Sequence, residues 1–554
     1  MSGSAITTRA QIGLDAPPVT VETHLPGGLP GFTVVGMPET AVREARDRVK
    51  SAIQTCGFEF PRGRVIVNLA PAELAKEGSR YDLAIAASIL CATRQLPYRS
   101  ARNFEYLAEL SLFGELRPAR GALCAALAGT TPVVLAPADA AAARQIGSAD
   151  AWPLAHLSEL KQLLAHADSP EAWWQRHTAD LEAQAADVPL QATLTDCNSR
   201  HPASERPAPE GEAQEHQGEL PELQQEQPDR DPWRAILGQE AAKRALLIAA
   251  SGGHHLLFVG PPGTGKSLLA RSLIKLLPPL GVAELREVAA IYSAAGYTIS
   301  RSRPFREPHH SASAVALVGG GRTANAGEIS LAHRGVLFLD ELPHFAPSVL
   351  DLLREPLSLG RIGLARASYR VTYPASFQLI AAMNPCPSGF TCTPERCRCS
   401  PARVRSYQGR ISGPLLDRID LQIAVPPVTA QELLAPLAQQ EPARKPTGKP
   451  KPSAALPGAI VARARARQVQ RQGGLNAAAD PALALAKLGP DAHQLLESLA
   501  NSGGLSARSQ HRLLNVARTI ADMSAVQEIS TEHLAEAFAL RQLDWEGGLG
   551  TQAG

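Results

Sequence analysis

The run Gly260-Pro261-Pro262-Gly263-Thr264-Gly265-Lys266-Ser267 constrains this chain more than any other stretch. It lies between the apolar Leu256-Leu257-Phe258-Val259 and a helix-patterned segment, Leu268 to Leu277. A buried strand, a glycine-rich turn and a helix N-terminus in that order make a phosphate cradle. Backbone N–H groups and the positive end of the helix dipole face the phosphates, Lys266 adds a mobile cation for the β and γ groups, and Ser267 offers a hydroxyl to Mg²⁺. Glycines at 260, 263 and 265 let the backbone approach without a Cβ in the way. A second apolar strand, Gly335 to Leu339, ends in Asp340-Glu341. A carboxylate just past a strand can hold the Mg²⁺ shell and its neighbour can polarise the attacking water, so Asp340 is assigned the first role and Glu341 the second. A third such strand, Phe377 to Met383, ends in Asn384, an amide suited to orienting water against a γ-phosphate. The three together predict ATP binding and hydrolysis on a parallel α/β core.

At 554 residues the chain exceeds one core and predicts about three domains. Lys and Arg number 55 against 53 Asp and Glu, so any nucleic-acid surface has to be a local patch. Met1 to Leu14 lacks the apolar core of a signal peptide, and no stretch of about 18 apolar residues suggests a membrane span. A cytoplasmic protein with no membrane partner is expected. Of eight cysteines, Cys386, Cys392, Cys397 and Cys399 are clustered, which in that compartment suggests metal before disulfide.

In chain order, residues 1–165 alternate β-branched runs (Phe32 to Val35, Val65 to Asn68) with helical patterns (Thr40 to Cys56, Leu83 to Cys91) and form an α/β or α+β domain. Lys76-Glu77-Gly78-Ser79 reads as a polar turn before a helix. Residues 166–231 form an acidic linker rich in Pro, Gln and Glu, which cannot bury enough surface to order itself. The ATPase core spans 232–427. Within it the pair His309-His310 lacks a neighbouring Cys or Asp to complete a metal set, so an exposed basic loop is expected. Ser348 to Leu357 reads as a helix, and Gly360 to Thr372 as a hairpin with arginines on its exposed side. A basic, proline-rich tether at 428–457 precedes a helical region at 458–554, patterned over Val461 to Gln472, Asp491 to Ala500, Ser506 to Ala521 and Thr531 to Arg541.

The phosphate loop, the His-His loop, Gly327 to His333, Leu339-Asp-Glu-Leu-Pro343, Ala382-Met-Asn-Pro-Cys-Pro387 and Ser412-Gly-Pro-Leu-Leu-Asp-Arg418 resemble, as a set, the magnesium chelatase-like AAA+ ATPases, in their YifB/ComM branch. The resemblance covers nearly the whole chain apart from the two linkers. It implies a multidomain α/β protein: a Lon-protease-like α+β N-terminal domain, an AAA+ P-loop core and a C-terminal all-helical lid, assembled as a homohexamer. It also implies Asn384 as first sensor, Arg418 as an arginine finger reaching the neighbouring subunit's γ-phosphate, and Arg508 as second sensor. Arg361, Arg366 and Arg370 of the hairpin are the expected contacts to single-stranded or branched DNA phosphates. The activity implied is an ATP-driven branch-migration helicase of natural transformation. The alternative is the ATPase subunit of a magnesium chelatase-type metal-insertion complex.

Two positions depart from the family pattern. Where Lon-type proteases carry a nucleophilic serine this chain has Arg80, and where they carry the lysine it has Leu123, so peptide hydrolysis has neither nucleophile nor base. Where the branch usually has a second cysteine after Asn-Pro-Cys-Pro, this chain has Ser388. Cys392 could substitute, and two readings stay open: four thiolates around Zn²⁺, or loop thiols.

Overall fold

The computed structural model describes residues 3–36, 40–129, 131–148, 150–165, 173–174, 233, 236–321, 324–366, 369–389, 399–428, 456–501 and 506–541. The N-terminal part builds a seven-stranded mixed sheet from β1 (Gly3–Arg9), β2 (Pro18–His24), β3 (Gly31–Val35), β4 (Arg64–Ala70), β5 (Glu105–Leu107), β6 (Val133–Leu135) and β7 (Ala151–Pro153), in the order β3-β4-β2-β1-β5-β6-β7. Of the helices between them, α1 (Thr40–Thr55) and α2 (Asp82–Ala92) pack against each other. Every residue of α2 is buried. A helix apolar on all sides has to lie inside a core, and α2 contacts β1, β2 and β5. Helices α3 (Ala122–Ala128) and α4 (Pro137–Gln145) follow, with shorter helical turns at Tyr98–Ala101, Leu157–Glu159 and Leu160–Ala165.

The second core is a five-stranded sheet. Its elements are α5 (Glu240–Gly252), β8 (Leu256–Val259), α6 (Lys266–Leu276), α7 (Val282–Ala295), β9 (Phe305–Arg306), β10 (Val336–Leu339), the hairpin β11 (Arg361–Arg366) and β12 (Tyr369–Pro374), β13 (Gln378–Met383) and β14 (Leu421–Ala424). The order is β9-β10-β13-β8-β14 and every pairing is parallel. Parallel sheets are covered on both faces and their strands read as continuous apolar runs; β8, β10 and β13 are buried at every position. The segment expected to be one helix over Ser348 to Leu357 is instead Pro347–Asp351, a 3-10 turn Leu352–Arg354 and Pro356–Leu359. Pro356 has no N–H to donate back along a continuous helix, which accounts for the break.

Four longer helices and one short one follow among the described residues: α8 (Pro457–Gln472), the five-residue helix Pro481–Leu485, α9 (Pro490–Asn501), α10 (Ala507–Met523) and α11 (Thr531–Ala539). They dock where α5 ends and β8 begins. Gln468 and Arg465 donate to the carbonyls of Ser251 and Ala250 at 3.1 and 2.7 Å, and Thr519 Oγ1 lies 2.7 Å from His254 Nε2. The helical layer therefore covers the end of the sheet where the strands start. On another side, α3 packs on α7 through Leu123, Cys124, Leu285 and Ala289, and Arg120 donates to the Ala294 carbonyl at 2.6 Å. No helix among the described residues is long and apolar enough to cross a membrane.

Candidate nucleotide site

Because β8, β13 and β10 are adjacent and parallel, with Val259 opposite Met383 and Leu339 opposite Ala381, their chain exits fall on one edge. That edge gathers Gly260, Asn384 and Asp340. A Cβ at Gly260 would lie 2.2 Å from the Val425 carbonyl oxygen, so the strand's close neighbour permits only glycine. Gly263 and Gly265 have open space around them but φ of +78° and +83°, so here conformation, not room, selects glycine. Gly265 caps α6, whose first residue is Lys266.

The Lys266 ammonium donates to the carbonyls of Gly260 and Pro261, both at 2.7 Å, and to Asn384 Oδ1 at 3.2 Å. Burial pushes its pKa down, and the charge of Asp340 partly offsets this. Ser267 Oγ donates to Asp340 Oδ2 at 2.7 Å. A hydroxyl and a carboxylate converging beside a helix N-terminus fit the inner shell of a Mg²⁺ carried by a triphosphate. Pro262 and Thr264 complete the loop, with Thr264 Oγ1 donating to the Pro261 carbonyl at 3.0 Å. Glu341 has φ +52°, unusual for a residue with a Cβ. It opens the short turn Leu342–His344, and the His344 N–H donates to the Glu341 carbonyl at 2.7 Å.

Arg418 and Arg508 lie elsewhere. Arg418 immediately precedes Ile419, Asp420 and β14, and β14 runs parallel to β8 with Leu421 opposite Leu256. It is thus at the starting end of the strands, separated from Gly260 by the length of a four-residue strand, roughly 13 Å at about 3.3 Å per residue. Arg418 donates to Ser358 Oγ at 2.9 Å and the Pro414 carbonyl at 2.6 Å. Burial first, and then the neighbouring charges of Arg508, Arg354 and Arg512, push its pKa down. Arg508 is exposed on the first turn of α10, so the two predicted arginines form one cationic cluster. Its footing is Asp420, a fully buried carboxylate held by Arg512 and by the His255 N–H at 2.9 Å. The contact from His254 and the charge of Arg512 outweigh burial and keep Asp420 far below the usual carboxylate range.

The hairpin pairs Ala365 with Arg370 and Arg361 with Pro374. Arg361 and Arg370 are exposed, sharing a face with Gly363 and Ala365. Arg366 takes the alternate register position, with Ile362 and Leu364, and its side chain lies outside the described residues. Of the four clustered cysteines, Cys392 and Cys397 lie outside the described residues. Cys386 is buried with Ser388 Oγ 3.1 Å from its sulfur, and Cys399 is partly buried. In the N-terminal part, Arg80 is buried and donates to Gln11 Oε1 at 2.6 Å, while Leu123 is buried in the α3–α7 contact. Arg80 borders a cavity of about 410 Å³ that is also lined by Gln11, Ser79, Glu109 and Tyr373. Ser79 donates to the Glu109 carboxylate and Lys76 to the carbonyls of Gly36 and Pro71, so serine and lysine have separate partners.

One cluster escaped the sequence reading. His310 Nδ1 is 3.3 Å and His344 Nδ1 3.5 Å from Glu341 Oε2. No Cys or Asp neighbours the His-His loop in the sequence, but a Glu and a further His stand beside it, because the pairing of β9 with β10 carries a distant turn to it.

A phosphate loop, a strand-end Asp-Glu and a strand-end Asn on one edge of a five-stranded parallel sheet define an α/β protein of the magnesium chelatase-type AAA+ class. Residues 232–433 match the family described as magnesium chelatase, subunit ChlI; residues 21–136 match subunit ChlI of Mg-chelatase, and 452–541 the ChlI C-terminal family. The chain is 42% identical to YifB of Escherichia coli K12 and 40% identical to the competence protein ComM of Haemophilus influenzae, over 98% of each chain in both comparisons. The magnesium-chelatase 67 kDa subunit of Heliobacterium mobile is 30% identical, over 29% of this chain and 29% of its own. The chain belongs to the YifB/ComM family of magnesium chelatase-like proteins.

Proposed function

We propose that this chain is the subunit of a homohexameric, ATP-driven DNA motor, a branch-migration helicase acting on single-stranded or branched DNA in the cytoplasm during recombination in natural transformation. The observation that carries the reading is the division of the nucleotide chemistry between two ends of one sheet. Lys266, Ser267, Asp340, Glu341 and Asn384 are grouped at one end, and Arg418 with Arg508 at the other. That separation of about one strand length is why the arginines are assigned to an adjoining subunit's phosphates rather than to the subunit's own. Likeness to ComM over nearly the full length supports the same reading.

Lys266 places its ammonium among the phosphate oxygens, and the N–H groups of 263–267 cradle them. Ser267 and Asp340 hold Mg²⁺, which when bound neutralises charge on the β and γ groups. Glu341 accepts a proton from the attacking water, and Asn384 orients that water. Arg418 and Arg508 of the next subunit stabilise charge that develops as the γ-phosphoryl leaves. Arg361, Arg366 and Arg370 grip backbone phosphates without reading sequence, so binding weakens with salt. The N-terminal domain, which lacks a Lon-type dyad, serves as a collar.

Phosphate release followed with and without a four-way junction tests this. The junction stimulates hydrolysis and is resolved, and Lys266→Ala abolishes both; a pure hexamer with no DNA affinity at low salt contradicts it. The second reading, an ATPase subunit for metal insertion, is favoured by the three chelatase-named family matches. Magnesium insertion into protoporphyrin with an added partner subunit would establish it instead.

A further inference from the structure

His310, Glu341 and His344 come together at the same edge as the nucleotide site, beside Asp340. Strands β9 and β10 run parallel, with Phe305 opposite Val336 and Arg306 opposite Leu337, so the loop after β9 and the turn after β10 leave the sheet side by side. The left-handed φ of Glu341 folds the next three residues into a 3-10 turn, which returns His344 to the carboxylate. The three ligand atoms, Nδ1, Nδ1 and Oε2, all lie within 4.8 Å of one another, the only such group of three among the described residues.

The spacing decides what the cluster suits. At 3.3 and 3.5 Å both Nδ1 atoms are long for hydrogen bonds to Oε2. Two donors on a tetrahedral Zn²⁺, each at about 2.0–2.1 Å, stand about 3.3–3.4 Å apart. Both spacings from Oε2 are therefore close to those of donors sharing such an ion. His310 is stacked on His309 at 4.1 Å between ring centroids, and His344 sits edge-on to Tyr407 at 6.0 Å, so neighbouring rings hold both imidazoles in place. The side chains are 37%, 47% and 42% exposed in the order His310, Glu341, His344, so an ion reaches them directly from solvent. Two imidazoles and one carboxylate favour Zn²⁺ and its neighbours over the all-oxygen coordination of Mg²⁺.

We propose that His310, Glu341 and His344 bind a transition-metal dication of the Zn²⁺ class, and that filling this site draws the Glu341 carboxylate away from the attacking water and switches hydrolysis off. The inhibitory half rests on the role given to Glu341 above; the binding half does not.

The test uses full-length protein carrying Cys392→Ser, Cys397→Ser and Cys399→Ser, which leaves the buried Cys386 as the one thiol of that cluster and so removes a multi-thiol zinc site. Zinc chloride is titrated against a chromophoric chelator, and ATPase is followed in Mg²⁺-ATP with and without buffered free Zn²⁺. The parent binds one histidine-dependent equivalent, and its ATPase falls with zinc and returns on chelation. His310→Ala and His344→Ala keep the zinc-free rate, and their zinc affinity and zinc sensitivity drop by at least the roughly 10–100-fold that losing an outer-shell partner costs. Equal zinc affinity in parent and histidine variants overturns the proposal. Histidine-dependent binding with unchanged turnover upholds the metal site and overturns the switch, whereas the role of Glu341 falls only if Glu341→Gln keeps the parental rate. Because binding is read without nucleotide, failure of the ATPase reading leaves that arm intact.

Discussion

Lys266 and Lys76 make an instructive pair. Each is a buried lysine near a glycine-containing turn, each donates to two backbone carbonyls, and burial lowers the pKa of both. Around Lys266 stand Asn384, Ser267 and Asp340, brought by adjacent strand ends. Around Lys76, among the described residues, the hydrogen-bond partners are the carbonyls of Gly36 and Pro71, and the nearby Ser79 is given to Glu109. A desolvated ammonium is therefore not a site in itself. It becomes one where the topology delivers groups that can share a phosphate, a metal and a water.

The comparison breaks most visibly if it is wrong at the largest effects. Lys266→Ala is expected to bring ATP turnover below detection, whereas Lys76→Met changes thermal stability and leaves kcat within about twofold, since its loss touches only structural hydrogen bonds. Arg418→Ala is expected to slow turnover by roughly 10³–10⁵ with nucleotide affinity nearly retained, measured as kcat beside nucleotide Kd. Glu341→Gln should cost about 10²–10⁴ in kcat, the usual worth of a positioned base.

Smaller effects sharpen the contrast at the footing of the arginine cluster. Asp420→Asn unpairs Arg512 in a buried setting and should destabilise the helical layer by about 3–5 kcal/mol in denaturant unfolding. Its pH dependence has a definite sign. The folded Asp420 pKa is depressed, so its stabilisation is present above the unfolded value near 3.9 and is lost only as pH falls through that value and below. His255 is pushed down to about 4, chiefly by burial, and its Nδ1 accepts the Leu379 N–H at 3.0 Å, which requires a neutral ring. Its contribution is complete above about 6.5 and fades as pH falls toward 4. The midpoint of thermal unfolding should therefore drop between pH 7 and 5 through His255, and again in stronger acid through Asp420. Smallest of all, Arg361→Ala or Arg370→Ala should weaken DNA binding alike on all sequences and reduce the salt slope by about 1 each.

Much of the candidate nucleotide site was legible because its chemistry is local to strand ends. Gly260 to Ser267, Asp340 and Asn384 each follow an apolar run, and parallel pairing of those runs is enough to bring them to one edge. What the sequence did not disclose needs contacts between distant segments. Arg418 and Arg508 share a cluster only because α10 docks at the start of β14, through Arg512 on Asp420. His310 meets Glu341 and His344 only through the β9–β10 pairing and a residue with positive φ, and no spacing rule encodes either. The break at Pro356 was a misweighed local signal: the apolar pattern of 348–357 is helical, and the missing N–H overrides it.

The central claim is that each ATP is hydrolysed between two subunits, with Lys266 from one and Arg418 from the next. Mixing Lys266→Ala protein with Arg418→Ala protein tests it most directly. Each alone is inactive, and if Arg418 acts across the interface the mixture regains ATPase, because some interfaces pair an intact loop with an intact arginine. A mixture as inactive as its two components, or an Arg418→Ala protein that turns over ATP at the parental rate, contradicts the account.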